Sequence, residues 1–205
     1  KTESIADDLK RYNCDVFVVI AYGKIIPQNI LDIPKHKSLN IHGSILPALR
    51  GSCPIETAIL NDIRETGVTI IKMDSEMDHG PIVAMEKVIA EPWPPKAEVL
   101  GNAIVTSGSN LLVSILPKWI NGEIIETQQD HSKATFTKMI QKEDGLIDLD
   151  GDPYKNYLKI QAYHGWPSAF FFKEGKRIKI TQASYKDGKL VIEKVIPEGK
   201  SEINY

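Results

Sequence analysis

Cysteine is scarce in this 205-residue chain: Cys14 and Cys53 stand apart, with no CxxC pair and no cluster of ligand-type residues around them. That argues against a disulfide framework and a structural zinc site, fits a reducing compartment, and gives no reason to expect a metal. No uninterrupted apolar run approaches the ~18 residues that suggest a membrane-spanning helix. No charged segment followed by an apolar one marks an export signal. A cytoplasmic protein without membrane contact is the expectation. Internal repeats and low-complexity tracts are missing as well. What remains is ordinary globular composition, 42% hydrophobic and 25% charged, enough for one large domain or a domain and a half.

The net charge of −2 is unevenly spread. Residues 1–140 carry 14 basic and 17 acidic side chains, whereas 170–205 carry eight basic against five acidic. A basic tail on an acidic body points weakly toward a polyanion.

Residues 4–12, with Ile5, Ala6 and Leu9 at helical spacing, read as the end of an amphipathic helix. The run Val16-Phe17-Val18-Val19-Ile20-Ala21 reads as an interior parallel strand buried on both faces, so the chain is expected to begin part-way through a fold. Residues 39–43 and 68–73 predict further strands, 82–88 a half-exposed one, and 96–119 a long helix that Pro117 should bend or end. Past Gly122 the chain turns polar. A helix over 153–162 and alternating segments at 169–173, 177–183 and 189–195, separated by turns at Gly175 and Gly188, predict a small antiparallel meander or partial barrel. The domain division is expected near residue 133, giving 1–132 and 133–205.

Asn40, His42 and Asp78 are the residues best suited to chemistry. Period-two alternation puts Asn40 and His42 on one strand face, where both can donate to a carbonyl oxygen that is becoming an oxyanion. A carboxylate from another strand end can orient the imidazole or relay a proton through water. Both segments are expected to end strands of a parallel sheet, where α/β folds place their ligands. Ser44 lacks a Gly-x-Ser-x-Gly elbow and no sequence motif marks Cys53 as a nucleophile, which favours direct attack by a substrate amine or water. His36, His131 and His164 read as surface or structural residues.

Taken alone, Asn-x-His and the turn Asp78-His79-Gly80-Pro81 have ordinary structural explanations. Their company narrows the reading. Asn40-Ile41-His42-Gly43-Ser44-Ile45-Leu46-Pro47, then Arg50-Gly51 and Pro54-Ile55, resembles the signature of the methionyl-tRNA formyltransferases. So do Glu65-Thr66-Gly67-Val68-Thr69-Ile70, Met73-Asp74, Met77-Asp78-x-Gly80, Lys142-Glu143-Asp144-Gly145-x-Ile147-Asp148 and Trp166-Pro167.

The resemblance implies an α/β fold, a partial Rossmann-like parallel sheet followed by a small OB-like β-barrel that grips tRNA. It implies formyl transfer from 10-formyltetrahydrofolate to the α-amino group of initiator methionyl-tRNA, by a monomer without metal. Asn40, His42 and Asp78 match the family's catalytic set. Tyr22, Gly23, Lys24, Ile25 and Ile26, with Asp74, Ser75, Glu76 and Met77, match its folate-binding segments. Ser44, Leu46, Pro47, Arg50 and Gly51, with Lys176 and Arg177, are expected on the acceptor side. His79 replaces a small residue or threonine and is expected to be dispensable. Competing readings are transfer to an amino sugar nucleotide and a non-catalytic tRNA- or folate-binding fragment.

Overall fold

A computed structural model describes residues 2–205, with side chains from Ile5 onward. The chain divides into two compact units. The first holds the chain up to Pro54 together with Glu65–Ile89 and Ala103–Lys138; the second holds Ile55–Arg64, Ala90–Asn102 and Met139–Tyr205.

In the first unit a four-stranded sheet runs in the order β1 (Phe17–Ile20), β2 (Ser38–His42), β3 (Thr66–Lys72), β4 (Ile82–Val88). Only β1 and β2 are parallel; β2–β3 and β3–β4 are antiparallel, so the sheet is mixed where sequence suggested parallel strands at the site. The reading of β1 as buried on both faces is also corrected. Val18 and Ile20 are 41% and 53% exposed, and β2 is the only described strand that pairs with β1. The strand closed in on both faces is β3, where Val68, Ile70 and Ile71 are buried.

Helices α1 (Thr2–Arg11), α2 (Gln28–Leu31) and α3 (Pro54–Leu60) are short, and α4 (Ala97–Ile120) is the long helix expected. Pro117 lies within its last turn, where the missing N–H removes one late hydrogen bond, and the helix runs three residues further. Leu111, Leu112, Ile115 and Leu116 pack with Leu39, Ile70 and Val83. Each such side chain contributes roughly 1.5–3 kcal/mol when fully buried. By length and composition alone α4 is also long and apolar enough to cross a membrane, as core helices of this length can be.

The second unit is built on helix α5 (Pro153–Ala162) and an antiparallel meander of β5 (Phe170–Lys173), β6 (Lys176–Lys186), β7 (Lys189–Pro197) and β8 (Ile203–Asn204). The Asp152 carboxylate accepts from the backbone N–H groups of Tyr154 and Lys155, and Pro153 fills the first helical position, where its lack of an N–H is harmless. Alternation along β6 sends Ile178 and Ile180 inward, against Ile160, Phe171 and Val195. Lys176 stays outside.

Candidate active site

β2 carries Asn40 and His42 on one face, both buried. The loop after β3 returns Asp78 to them. The Asn40 amide donates from Nδ2 to Asp78 Oδ1 at 3.2 Å, and the Gly51 N–H donates to Asp78 Oδ2 at 2.8 Å. His42 Nδ1 faces the same Oδ2 at 3.5 Å. Its Nε2 lies 2.9 Å from the Leu49 carbonyl, an acceptor only, so Nε2 carries a proton. One carboxylate thus gathers a strand amide, an imidazole and a loop N–H. The Asn40 amide carries a second N–H, for which no hydrogen bond is seen among the described residues, and such a donor can serve a substrate oxygen.

Loop geometry makes this meeting possible. Asp78 has φ of 48°, in the left-handed region that aspartate tolerates better than most residues. Gly80 follows because a Cβ there would strike the Lys72 carbonyl. Gly51, at φ of 111°, brings its N–H to the carboxylate in a conformation that other residues rarely adopt. The segment between His42 and Gly51 is pinned by Thr69, whose hydroxyl donates to the Ser44 carbonyl and accepts from the Leu46 N–H.

The remaining expected residues divide by exposure. Tyr22, Gly23, Lys24 and Ile25 are exposed just beyond β1 and Ile26 is half-buried, and Ser75, Glu76 and Met77 are exposed beside the half-buried Asp74. Both segments offer accessible backbone, and Tyr22, Ile25 and Met77 add exposed apolar surface. Ser44, Leu46 and Arg50 are buried at 1%, 2% and 3% exposure, so they shape the loop, while Pro47 and Gly51 are partly open. Lys176 is exposed. The Arg177 guanidinium lies 3.8 Å over the Phe170 ring, and its Nε is buried without a hydrogen-bond partner. Among the described residues no group of three or more potential ligands could hold a metal.

Sequence reasoning missed Gln129 and gave no site role to His131, read as surface or structural, or to His79, expected to be dispensable; all three connect to the site. Gln129 is buried and donates from Nε2 to the carbonyls of Asp78 and Gly80, at 2.9 and 2.7 Å. Its Oε1 accepts from Arg50 Nε and Nη2, at 3.2 and 2.6 Å. His131 accepts at Nδ1 from the same guanidinium at 2.9 Å. His79 donates from Nδ1 to Asp74 Oδ2 at 2.7 Å. A Gln-Gln-Asp-His run in a polar stretch has no periodicity to announce such a role.

A mixed sheet with an asparagine, histidine and aspartate converging at one strand defines a class. Residues 1–116 match the formyl transferase family and 139–194 match the formyl transferase C-terminal domain, and the chain belongs to this family. It is 42% identical over 182 residues to the methionyl-tRNA formyltransferase of Chloroflexus aggregans, a match covering 88% of this chain and 58% of that protein. The chain thus spans little more than half the length of that relative. Among solved structures, the methionyl-tRNA formyltransferase from Clostridium thermocellum superposes with a TM-score of 0.73 at 23% identity, over 97% of this chain and 82% of that one. HypX from Aquifex aeolicus in complex with tetrahydrofolic acid gives 0.79 at 16% identity, over 100% and 40%. A sugar N-formyltransferase from Shewanella gives 0.75 at 19%, over 91% and 76%. These likenesses bear out the family read from the motifs and the fold.

Proposed function

We propose that this chain catalyses transfer of a formyl group from 10-formyltetrahydrofolate to the α-amino group of initiator methionyl-tRNA, a cytoplasmic step of translation initiation. The observation that carries the proposal is the Asp78 carboxylate held by Asn40 and Gly51 with the His42 ring beside it. The names of the relatives support the same reading.

The folate derivative supplies an electrophilic formyl carbon. Asn40 donates its second N–H to the formyl oxygen as that oxygen gains charge, which favours the transition state over the ground state. His42, with a protonated Nε2, adds a donor if that nitrogen exchanges the Leu49 carbonyl for substrate. Asp78 orients both side chains and accepts, through water, the proton that the attacking amine must lose; that proton is returned to N10 of the folate as the formyl C–N10 bond breaks, which leaves tetrahydrofolate and the formylated amine. The segment 22–26 and the loop Asp74-Ser75-Glu76-Met77 hold the donor. Pro47 and Gly51 border the acceptor, and Lys176 and Arg177 attract tRNA phosphates.

Transfer to a sugar amine is the second reading, favoured by the fold shared with the Shewanella enzyme. Incubating the complete gene product with 10-formyltetrahydrofolate and methionyl-tRNA should yield formylmethionyl-tRNA. If only an amino sugar nucleotide is formylated, the tRNA reading is overturned.

A further inference from the structure

Asp78 has its side chain fixed by Asn40 and Gly51, but its backbone occupies a left-handed conformation that must be held from elsewhere. The holding group is Gln129. Its orientation follows from its partners: the two carbonyls it meets can only accept, and the guanidinium it meets can only donate. One buried amide therefore bridges the loop on both sides of His79 to Arg50. Among the described residues the Arg50 guanidinium makes no ion pair with a carboxylate, and its side-chain partners are Gln129 and His131. The arginine is 3% exposed and its backbone pairs with Thr135 and Thr137, so it offers a rigid base rather than a reaching arm.

We propose that Gln129, anchored by Arg50, is a positioning residue: it sets the Asp78 loop so that the carboxylate stays on Asn40, Gly51 and His42 through the catalytic cycle. The proposal rests on the formyl-transfer reading only for its kinetic part. The bridge acts on the carbonyls at 78 and 80, so it controls where the carboxylate points without touching donor or acceptor. Gln129 gathers no substrate affinity of its own, and its loss appears in turnover.

Glutamate at this position separates the two halves of the bridge. Gln129→Glu keeps an acceptor for Arg50, and improves it by charge, but brings a carboxylate against two carbonyls to which it cannot donate. Gln129→Asn keeps the amide chemistry on a side chain one carbon shorter. In the complete gene product, kcat should fall about a hundredfold in Gln129→Glu and by less in Gln129→Asn, since small misplacements of a catalytic group have that effect. KM for the folate donor and for methionyl-tRNA should stay within about threefold while Tm is kept.

The second readout needs no substrate and uses the charge-neutral variant. In isotope-labelled Gln129→Asn the NMR resonances of the Asn40 side-chain amide and of the Gly51 N–H should shift, because the Asp78 carboxylate has moved from both donors. The charged groups around the bridge are His42 at Asp78, Arg50 and His131 at Gln129, and His79 with Asp74 on the loop; amide resonances of β6 and β7 serve as internal references. Unmoved Asn40 and Gly51 resonances, or kcat within about threefold of wild type in Gln129→Glu, overturn the proposal. Wild-type protein that forms no formylmethionyl-tRNA overturns the substrate reading instead, and the Asn40 and Gly51 resonances still decide the positioning role.

Discussion

His79 and His131 lie face to face, with ring centroids 4.0 Å apart and planes within 5° of parallel. Each ring is oriented by a different partner: His79 by the Asp74 carboxylate, and His131 by the Arg50 guanidinium. The stack ties the loop expected to hold folate to the segment after Gln129. The expectation that His79 is dispensable therefore meets a side chain with two defined partners.

His79→Thr removes both the stack and the bond to Asp74. Stacked aromatic pairs are worth about 0.5–1.5 kcal/mol, and that sum is drawn here from the order of one loop. The variant should raise KM for 10-formyltetrahydrofolate severalfold and change kcat less. Unchanged donor KM in steady-state kinetics would return His79 to the dispensable class.

Asn40→Ala and His42→Ala should each lower turnover about a hundredfold or more, with donor binding little changed. Asp78→Asn should preserve folding and lose most activity, since an amide neither takes up the proton nor supports a protonated ring. Turnover of Asp78→Asn near wild type, measured from about pH 6 to 9, would remove the proton role.

The Asp152 cap gives the second unit a defined acid response. Backbone N–H groups of Lys155 and Tyr154 hold this carboxyl below the usual aspartate range. The folded state thus binds the proton less readily than the unfolded state. The cap's contribution is complete above the unfolded value and is lost as pH falls through the folded one. Asp152→Asn retains a capping side chain but not the charge, so its Tm should fall less steeply on acidification. Parallel Tm-against-pH curves for the two proteins would contradict this.

Lys176 is the cleaner test of phosphate contact. Arg177 stacks on Phe170 and donates weakly to the Pro167 carbonyl, so its removal disturbs packing as well as charge. Lys176→Gln should raise KM for methionyl-tRNA and reduce the slope of log affinity against log salt by about one. Donor KM should not move. A wild-type slope in the variant would release Lys176 from the interface.

Much of this architecture was legible because it rests on periodicity. Alternation gave β2 its Asn40–His42 face, and the limits of α5 follow from Pro153 and the apolar residues at 158 and 160. The direction of β3 was not legible: a continuous apolar run looks the same in either orientation, and pairing with β2 is a long-range outcome. β1 misled for a related reason, since apolar residues on an exposed face repeat the pattern of a covered strand. Gln129 was hidden because its partners are two backbone carbonyls, which leave no mark on the side-chain sequence.

The bonds that hold Asp78 reach back 38 residues to Asn40 and 27 to Gly51, and forward 51 to Gln129. On a ribosome, the first two partners emerge before the loop does and the third long after it. A nascent chain that has exposed β2 through β4 can pin the carboxylate, yet its backbone waits for a glutamine that emerges 51 residues after the aspartate. At ~5–20 residues per second, the interval is a few seconds. Long-range closures of this kind slow folding, and here the closure that comes last is the one that fixes the aspartate loop.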